Sequence, residues 1–125
     1  MNPEQIPVYA VRLSAAAAAQ TAAALEWMKK TAGEDTAEEW EEGLHTAWAS
    51  LATLPARCPV AEENRFYQKK HPGPPLLVAL YRHGRSTWRL LITIQEANFN
   101  DPATVVIRQF RHGAQKPLTK WPDEG

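Results

Sequence analysis

The chain has 125 residues, 14 acidic and 14 basic side chains, one cysteine and 44% hydrophobic residues. This size and composition predict one folded domain with its own core and exclude a chain that is disordered over most of its length. A single cysteine cannot form an intramolecular disulfide, no apolar run approaches the ~20 residues of a membrane span, and Met1 to Pro7 lack a signal-peptide pattern, so we expect a cytoplasmic protein.

The balance of charge hides an asymmetry along the chain. Up to Glu63 there are ten acidic and four basic residues, whereas from Asn64 onward there are ten basic and four acidic residues. A basic half is expected to face a phosphate-rich or acidic partner, unless the two halves neutralise each other across the fold. The second half of the chain is therefore where a binding surface is predicted.

The first predicted elements are a strand and a helix. The run from Val8 to Leu13 contains β-branched and aromatic residues, which favours a strand. Ser14 can cap the next helix, because its hydroxyl can accept a hydrogen bond from a backbone N–H of the first turn. Strong helix formers occupy residues 15–30, and Gly33 can end that helix.

An amphipathic second helix is predicted from Asp35 or Thr36 to about Leu54. Apolar residues recur there at three- and four-residue steps and would form one stripe facing the core. Thr36 and Glu39 match a capping box, and Pro55 stops the helix. The tryptophans expected in the core are Trp40, Trp48 and Trp88.

The rest of the chain is predicted to hold a connector and three strands. Residues 55–75 contain five prolines and should be extended or looped, with a strand-like stretch around Phe66-Tyr67. Apolar and β-branched runs predict strands at 76–81, 87–94 and 104–112, and their short connections favour an antiparallel meander. The tail, 113–125, is predicted to be irregular.

These elements predict an α+β fold in the order β-α-α-β-β-β. Two helices would pack on one face of a small, largely antiparallel sheet, whose other face stays partly open. The first strand must return to the sheet after the helices, so it is expected to pair with one of the later strands. Residues 1–125 would form a single domain.

Four stretches stand in a fixed order along residues 8–118. They are Tyr9-Ala-Val-Arg-Leu-Ser14, Trp40 to Glu63 with its ending Pro55-Ala-Arg-Cys-Pro-Val-Ala-Glu-Glu63, Leu80 to Ile94, and Val105 to Leu118 with its Arg-His-Gly-Ala segment. Together they resemble the RelE/ParE toxins of type II toxin–antitoxin systems. They are similar, in turn, to that family's opening strand and helix cap, its second helix and following segment, its basic hairpin, and its last strand and ending.

The resemblance implies a growth-inhibiting toxin of the plasmid-stabilisation type, whose basic surface is covered by a cognate antitoxin. RelE-like members cleave mRNA on the ribosome, whereas ParE-like members are associated with DNA gyrase and lack a clear nuclease set. The chain departs from the family in its alanine-rich first helix and in the insert around Lys70 to Pro75, and no tyrosine follows Tyr81. Both targets therefore stay open, and the alternative is a non-catalytic RNA- or protein-binding module on the same fold.

The candidate site residues are cationic residues and histidines of the second half. The residues expected to bind a substrate are Arg82, Arg85, Arg108 and Lys116, and those assigned catalytic roles are His83, Arg89, Arg111 and His112. On an ideal strand Arg108 and Arg111 lie on opposite faces, so convergence would require the strand end to twist.

The nuclease alternative depends on histidine. Cleavage by 2′-OH attack needs a base, an acid, and cations around the phosphorane. Arginine stays protonated and provides only charge and hydrogen bonds, so His112 or His83 would have to move the proton. A structural or surface role is the plain alternative for each histidine. No metal-ligand spacing and no Gly-rich phosphate loop occurs, so neither a metal nor a cofactor is expected.

Overall fold

The computed structural model describes residues 8–122, and its elements follow the predicted order with one added helix. The strands are β1 (Ala10–Leu13), β2 (Leu77–His83), β3 (Ser86–Gln95) and β4 (Thr104–His112), and the helices are α1 (Ala15–Ala32), α2 (Glu34–Ser50) and α3 (Asn64–Lys70). The expectation for Met1 to Pro7 lies outside the described residues, as do the last three residues of the tail. Within 8–122 no helix combines the length and apolar composition that a membrane crossing requires.

The strands form one mixed sheet in the order β1-β4-β3-β2. The pairs β2–β3 and β3–β4 are antiparallel, whereas β1 runs parallel to β4, with Ala10 opposite Thr104. The predicted α+β order, with a largely antiparallel sheet to which the first strand returns, is therefore confirmed.

The helices α1 and α2 cover one face of this sheet and bury the main core. Trp88 and Ile92 alternate along β3 and join the core with Trp40 of α2. The Trp40 ring lies 5.3 Å from the Trp88 ring and 5.9 Å from the Phe110 ring, both edge-to-face. Of the tryptophans predicted in the core, Trp40 and Trp88 are buried, whereas Trp48 lies at its border and is only partly buried.

The helix α2 lies so close to β2 that one position requires glycine. The Tyr81 hydroxyl donates to the Trp40 carbonyl oxygen at 2.7 Å. A Cβ at Gly43 would collide with that hydroxyl. Gly43 therefore serves the packing of α2, although glycine is a poor helix former.

The junction between α1 and α2 differs from the prediction because Gly33 alone forms it. Gly33 has φ of 92°, and its N–H donates to the Lys29 carbonyl. Because this single glycine connects the two helices, no further loop residues are needed, and α2 already begins at Glu34. Thr36 then lies inside the helix, and the predicted capping box with Glu39 does not form.

The helix α2 ends at Ser50, earlier than the predicted Leu54. Leu54 has φ of 49°, a left-handed conformation that cannot continue the helix. The Arg57 guanidinium donates to the Ser50 and Thr53 carbonyls at 3.3 and 2.6 Å. These bonds satisfy carbonyl groups that the helix end leaves without partners.

The second face of the sheet is partly open, as predicted: Leu80 and Arg82 of β2 are exposed there, whereas another part of the face is covered. The helix α3 and the tail pack there against Leu91 of β3 in a second, smaller core. Trp121 of the tail is 1% exposed, and its ring lies 5.0 Å from that of Tyr67 in α3. The segment around Tyr67 is helical rather than strand-like: the backbone N–H groups of Phe66 and Tyr67 donate to the Glu63 carbonyl, and Tyr67 is buried in this second core.

Candidate functional site

A β-bulge in β4 decides which side chains share a face of the sheet. The pairing of β4 with β3 shifts by one residue between Ile107 and Gln109, so Arg108 is the additional residue. Ile107 and Phe110, three positions apart, both pack against the helices. One extra residue thus breaks the two-residue alternation of the strand.

The bulge places Arg108 and Arg111 on the same face, away from α1 and α2. Arg108 donates from Nε to the Thr93 hydroxyl at 2.9 Å, and Arg111 is the cross-strand partner of Arg89. Thr93 and Arg89 are four residues apart in β3 and therefore share a face. The expectation that Arg108 and Arg111 lie on opposite faces is wrong, because it assumed an unbroken strand.

Arg82 belongs to this face as well. Its cross-strand partner is Thr87, two residues before Arg89, whereas the neighbouring pair of Tyr81 and Trp88 points into the main core. We call this surface the arginine face, and its members are Arg82, Arg89, Arg108 and Arg111, with Arg85 in the adjoining turn of the hairpin.

Arg89 is held on this face by a buried carboxylate. Its Nη1 and Nη2 lie 2.6 and 2.7 Å from the two carboxylate oxygens of Glu63, which is fully buried. Burial by itself raises the pKa of Glu63, but Arg89 and the backbone N–H groups of Glu63 and Leu118 donate to the carboxylate, and the net pKa is lowered. The pKa of Arg89 is raised, chiefly by its bonds to Glu63. Both groups are therefore ionised, and the pair joins the connector, β3 and the tail.

Arg111 lies beside this ion pair. Burial lowers the pKa of its guanidinium, Glu63 partly offsets that effect, and the charge of Arg89 adds to it. Its Nη2 donates to the Lys116 carbonyl at 2.9 Å, whereas its Nε is buried without a hydrogen-bond partner among the described residues. Arg111 thus fixes the start of the tail against β4.

Both candidate histidines have helix-side positions in their strands, although His112, at the end of β4, also borders the arginine face. His83 follows Tyr81 on the helix side of β2, with ring centroids 6.4 Å apart. His112 packs edge-to-face on Trp88 at 4.8 Å, and its Nδ1 accepts a hydrogen bond from the Ala114 backbone N–H at 2.9 Å. A neutral imidazole bonded in this way carries its proton on Nε2, which is then a donor and not a base.

One open groove at the end of the hairpin brings part of the candidate set together. It has a volume of about 420 Å³, and its lining includes Arg85, Arg89 and His112. His83 is not among its lining residues, and neither is Lys116, which lies in the tail. The groove offers positive charge and N–H donors to an anion. Within residues 8–122 no group of three or more His, Cys, Asp or Glu side chains is arranged to hold a metal ion.

Two side chains that organise the arginine face were not predicted as site residues. Glu63 holds Arg89, and the Tyr67 ring lies 5.9 Å from the Arg108 guanidinium carbon. No spacing rule links residue 63 to residue 89 or residue 67 to residue 108. The one available signal was that Glu63 ends the stretch that begins at Pro55 and resembles the toxin family.

No protein-family model matches the chain, and no curated protein sequence matches it.

Proposed function

We propose that the chain is the toxin component of a type II toxin–antitoxin system. It inhibits growth through the arginine face and is neutralised by a cognate antitoxin that covers this face. The observation that carries the proposal is that five arginines lie together on one face and the adjoining turn, although the chain has no net charge. Such a surface attracts acidic macromolecules. The likeness of four stretches to RelE/ParE toxins supports the same function.

On this proposal the arginine face binds its target without cleaving it. Proton transfer in 2′-OH attack needs a free base beside the cations, but His83 lies on the helix side of β2 and Nδ1 of His112 already accepts from Ala114. These contacts favour inhibition by binding over RelE-like cleavage of mRNA. Two cytoplasmic targets fit a binding surface of this kind, DNA gyrase and ribosome-bound mRNA.

Induced expression of the chain alone tests the proposal. We expect growth to stop, and co-expression of the product of a neighbouring gene to restore it. The double variant Arg82→Ala/Arg85→Ala removes two exposed cations of the face and should weaken inhibition roughly 5- to 30-fold, if each forms an ion pair of about 0.5–1 kcal/mol with the target. The matched control is Lys29→Ala/Lys30→Ala, which removes the same charge from the end of α1.

Several outcomes would speak against the proposal. Harmless expression of the unaltered chain would favour the non-catalytic binding module. Equal relief by both double variants would mean that overall charge, and not the arginine face, is responsible. Assays of translation and of DNA supercoiling separate the two targets. Loss of growth inhibition in His112→Ala, together with mRNA cleavage by the unaltered chain in vitro, would support the nuclease alternative.

A further inference from the structure

A cavity lies beside the arginine face, in a slot between α3 and the tail. The slot has a volume of about 490 Å³. Its walls are formed by Glu62, Arg65, Phe66, Lys116, Pro117, Leu118 and Thr119. Apolar walls thus stand next to two cations and one carboxylate, and the proposed function does not yet use this slot.

Phe66 is an aromatic ring that neither core uses. It is only partly buried and belongs to neither of the two core clusters of the described residues, unlike its neighbour Tyr67. The Arg65 guanidinium carbon lies 4.6 Å and the Lys69 ammonium nitrogen 5.6 Å from its ring centroid. Both cations lie over the ring, so a planar ligand stacks on Phe66 by displacing one of them, or stacks on the Arg65 guanidinium itself.

The slot is linked to the arginine face by hydrogen bonds of the tail. Arg111 donates to the Lys116 carbonyl, and the Leu118 backbone N–H donates to Glu63, which in turn holds Arg89. Exposed cations of α3 and the tail extend the positive surface, and they are Arg65, Lys69, Lys70, Lys116 and Lys120. A run of phosphates can therefore follow the cations while a base enters the slot.

We infer that the slot takes a base of a single-stranded nucleic acid whose phosphates lie on the arginine face. This inference deepens the proposed function and rests on it in taking that face as the functional surface. Proteins that bind single strands combine a cationic path for the backbone with aromatic side chains on which bases stack. An apolar side chain of a protein partner would leave the surrounding cations without partners, whereas a nucleotide uses both parts of the site. Glu62 can accept from an exocyclic amino group of the base.

Binding of short labelled strands to the purified chain tests this inference, read by fluorescence anisotropy. The probes are an oligoadenylate DNA of about 12 nucleotides, within the usual span of single-strand sites, and an abasic strand of equal length and charge. Stacking of a single base predicts that the adenylate strand binds roughly 5- to 150-fold more tightly than the abasic strand. Phe66→Ala should abolish this difference without weakening abasic binding, and Phe66→Tyr should keep it. The control is Trp27→Ala, since Trp27 is an exposed aromatic of α1, 53% accessible.

Three results would overturn the inference. One is equal binding of adenylate and abasic strands, and another is an unchanged base preference in Phe66→Ala. The third is displacement of the adenylate strand by polyglutamate as effectively as by the same charge of unlabelled adenylate. Thermal unfolding verifies that the Phe66 variants are folded, which we expect because the ring lies outside both cores. An RNA strand of the same sequence shows whether ribose or deoxyribose strands bind more tightly and thereby identifies the natural source. With either sugar, a gain in affinity over the abasic strand supports the base slot.

Failure of this inference can be told apart from failure of the proposed function. If the chain stops growth and Arg82→Ala/Arg85→Ala relieves the arrest, but bases add nothing to binding, only the base slot is wrong. If bases strengthen binding through Phe66 but expression is harmless, the toxin function is wrong and the slot stands.

Discussion

Glu63 shows how this fold keeps a buried charge ionised. Its carboxylate is removed from water, yet two guanidinium nitrogens and two backbone N–H groups donate to it. Desolvation of an ion pair is offset only when the geometry is good and the remaining acceptor sites are filled. Removing one partner therefore leaves the other charge without compensation.

The variant Glu63→Gln should lower the free energy of unfolding by about 3 kcal/mol, because it leaves the charge of Arg89 without a counter-charge. Urea unfolding near neutral pH measures this loss. Glu62→Gln is the neighbouring control on the surface and should change stability by less than about 0.5 kcal/mol.

The same pair gives stability a defined dependence on pH. Since the pKa of Glu63 is lowered on folding, its contribution is present above the unfolded value of about 4.3 and is lost as pH falls through the lower, folded value. The difference between the unaltered chain and Glu63→Gln should therefore shrink as the medium is acidified below about pH 4. If the difference in unfolding free energy between the two chains persists unchanged in acid, the Glu63 side chain stabilises the fold by its packing and not by its charge.

At the residue scale, the sequence identified the arginines but not their arrangement. Alternation correctly placed Trp88 and Ile92 in the core. The same alternation rule failed for Arg108 and Arg111. A bulge depends on how β4 pairs with β3, and the residue pattern of a single strand does not reveal it.

Among the elements, α1 is tied to the sheet by its cap. The Ser14 hydroxyl accepts from the Ala17 N–H at 3.1 Å and donates to the Arg108 carbonyl at 2.7 Å. One side chain thus starts the helix, as predicted, and also bonds the bulge residue of β4. Its loss affects two elements.

Ser14→Ala should lower the free energy of unfolding by about 1–2 kcal/mol, since it removes a helix cap and a bond to the bulge. A corresponding fall in Tm of roughly 3–10 °C is expected in a thermal melt. Thr36→Ala is the matched control, because Thr36 lies inside α2 and does not cap it. Similar losses in both variants would contradict the assignment of the caps.

The elements that could be predicted are those with a clear period or a local signal. The strand 104–112 was predicted with the observed bounds, and Ser14 was predicted as a cap. The helix α3 escaped prediction because seven residues between prolines show no apolar period. Its helical turn is supported by Asn64, whose side-chain oxygen accepts from the Leu76 N–H at 2.8 Å.

At the scale of the whole molecule, the carboxylates of α2 and the arginine face lie on opposite sides of the sheet. The carboxylates at the start of α2 are on the helix side, and the arginine face is on the side of α3 and the tail. Arg89 of this face pairs with Glu63 of the connector and not with α2. The sequence could not distinguish this separation from mutual neutralisation, because that choice depends on which side of the sheet each element packs.

The tail is an integral part of the folded molecule. Trp121→Ala should lower the free energy of unfolding by about 3–5 kcal/mol, because its ring is buried against Tyr67 in the second core. Urea unfolding measures the loss, and Trp27→Ala, at an exposed aromatic, should have little effect. A small effect at Trp121 would mean that the tail packs only loosely on the sheet.

The tail was predicted to be irregular, and residues 113–122 indeed contain no helix or strand. Its burial was missed because a segment with prolines has no period from which a buried face can be read. The isolated pair Leu118 and Trp121 was the only hint, and its meaning depends on the core formed by α3.

The parallel pairing of β1 with β4 has a consequence for how the chain acquires its structure. β1 is synthesised before the other three strands of the described sheet, yet its partner is β4, the last of them. Contacts between such distant segments require closure of a long loop and form slowly. Arg108 and Arg111 also reside on β4, so a ribosome-bound nascent chain lacks the assembled surface until translation has passed that strand.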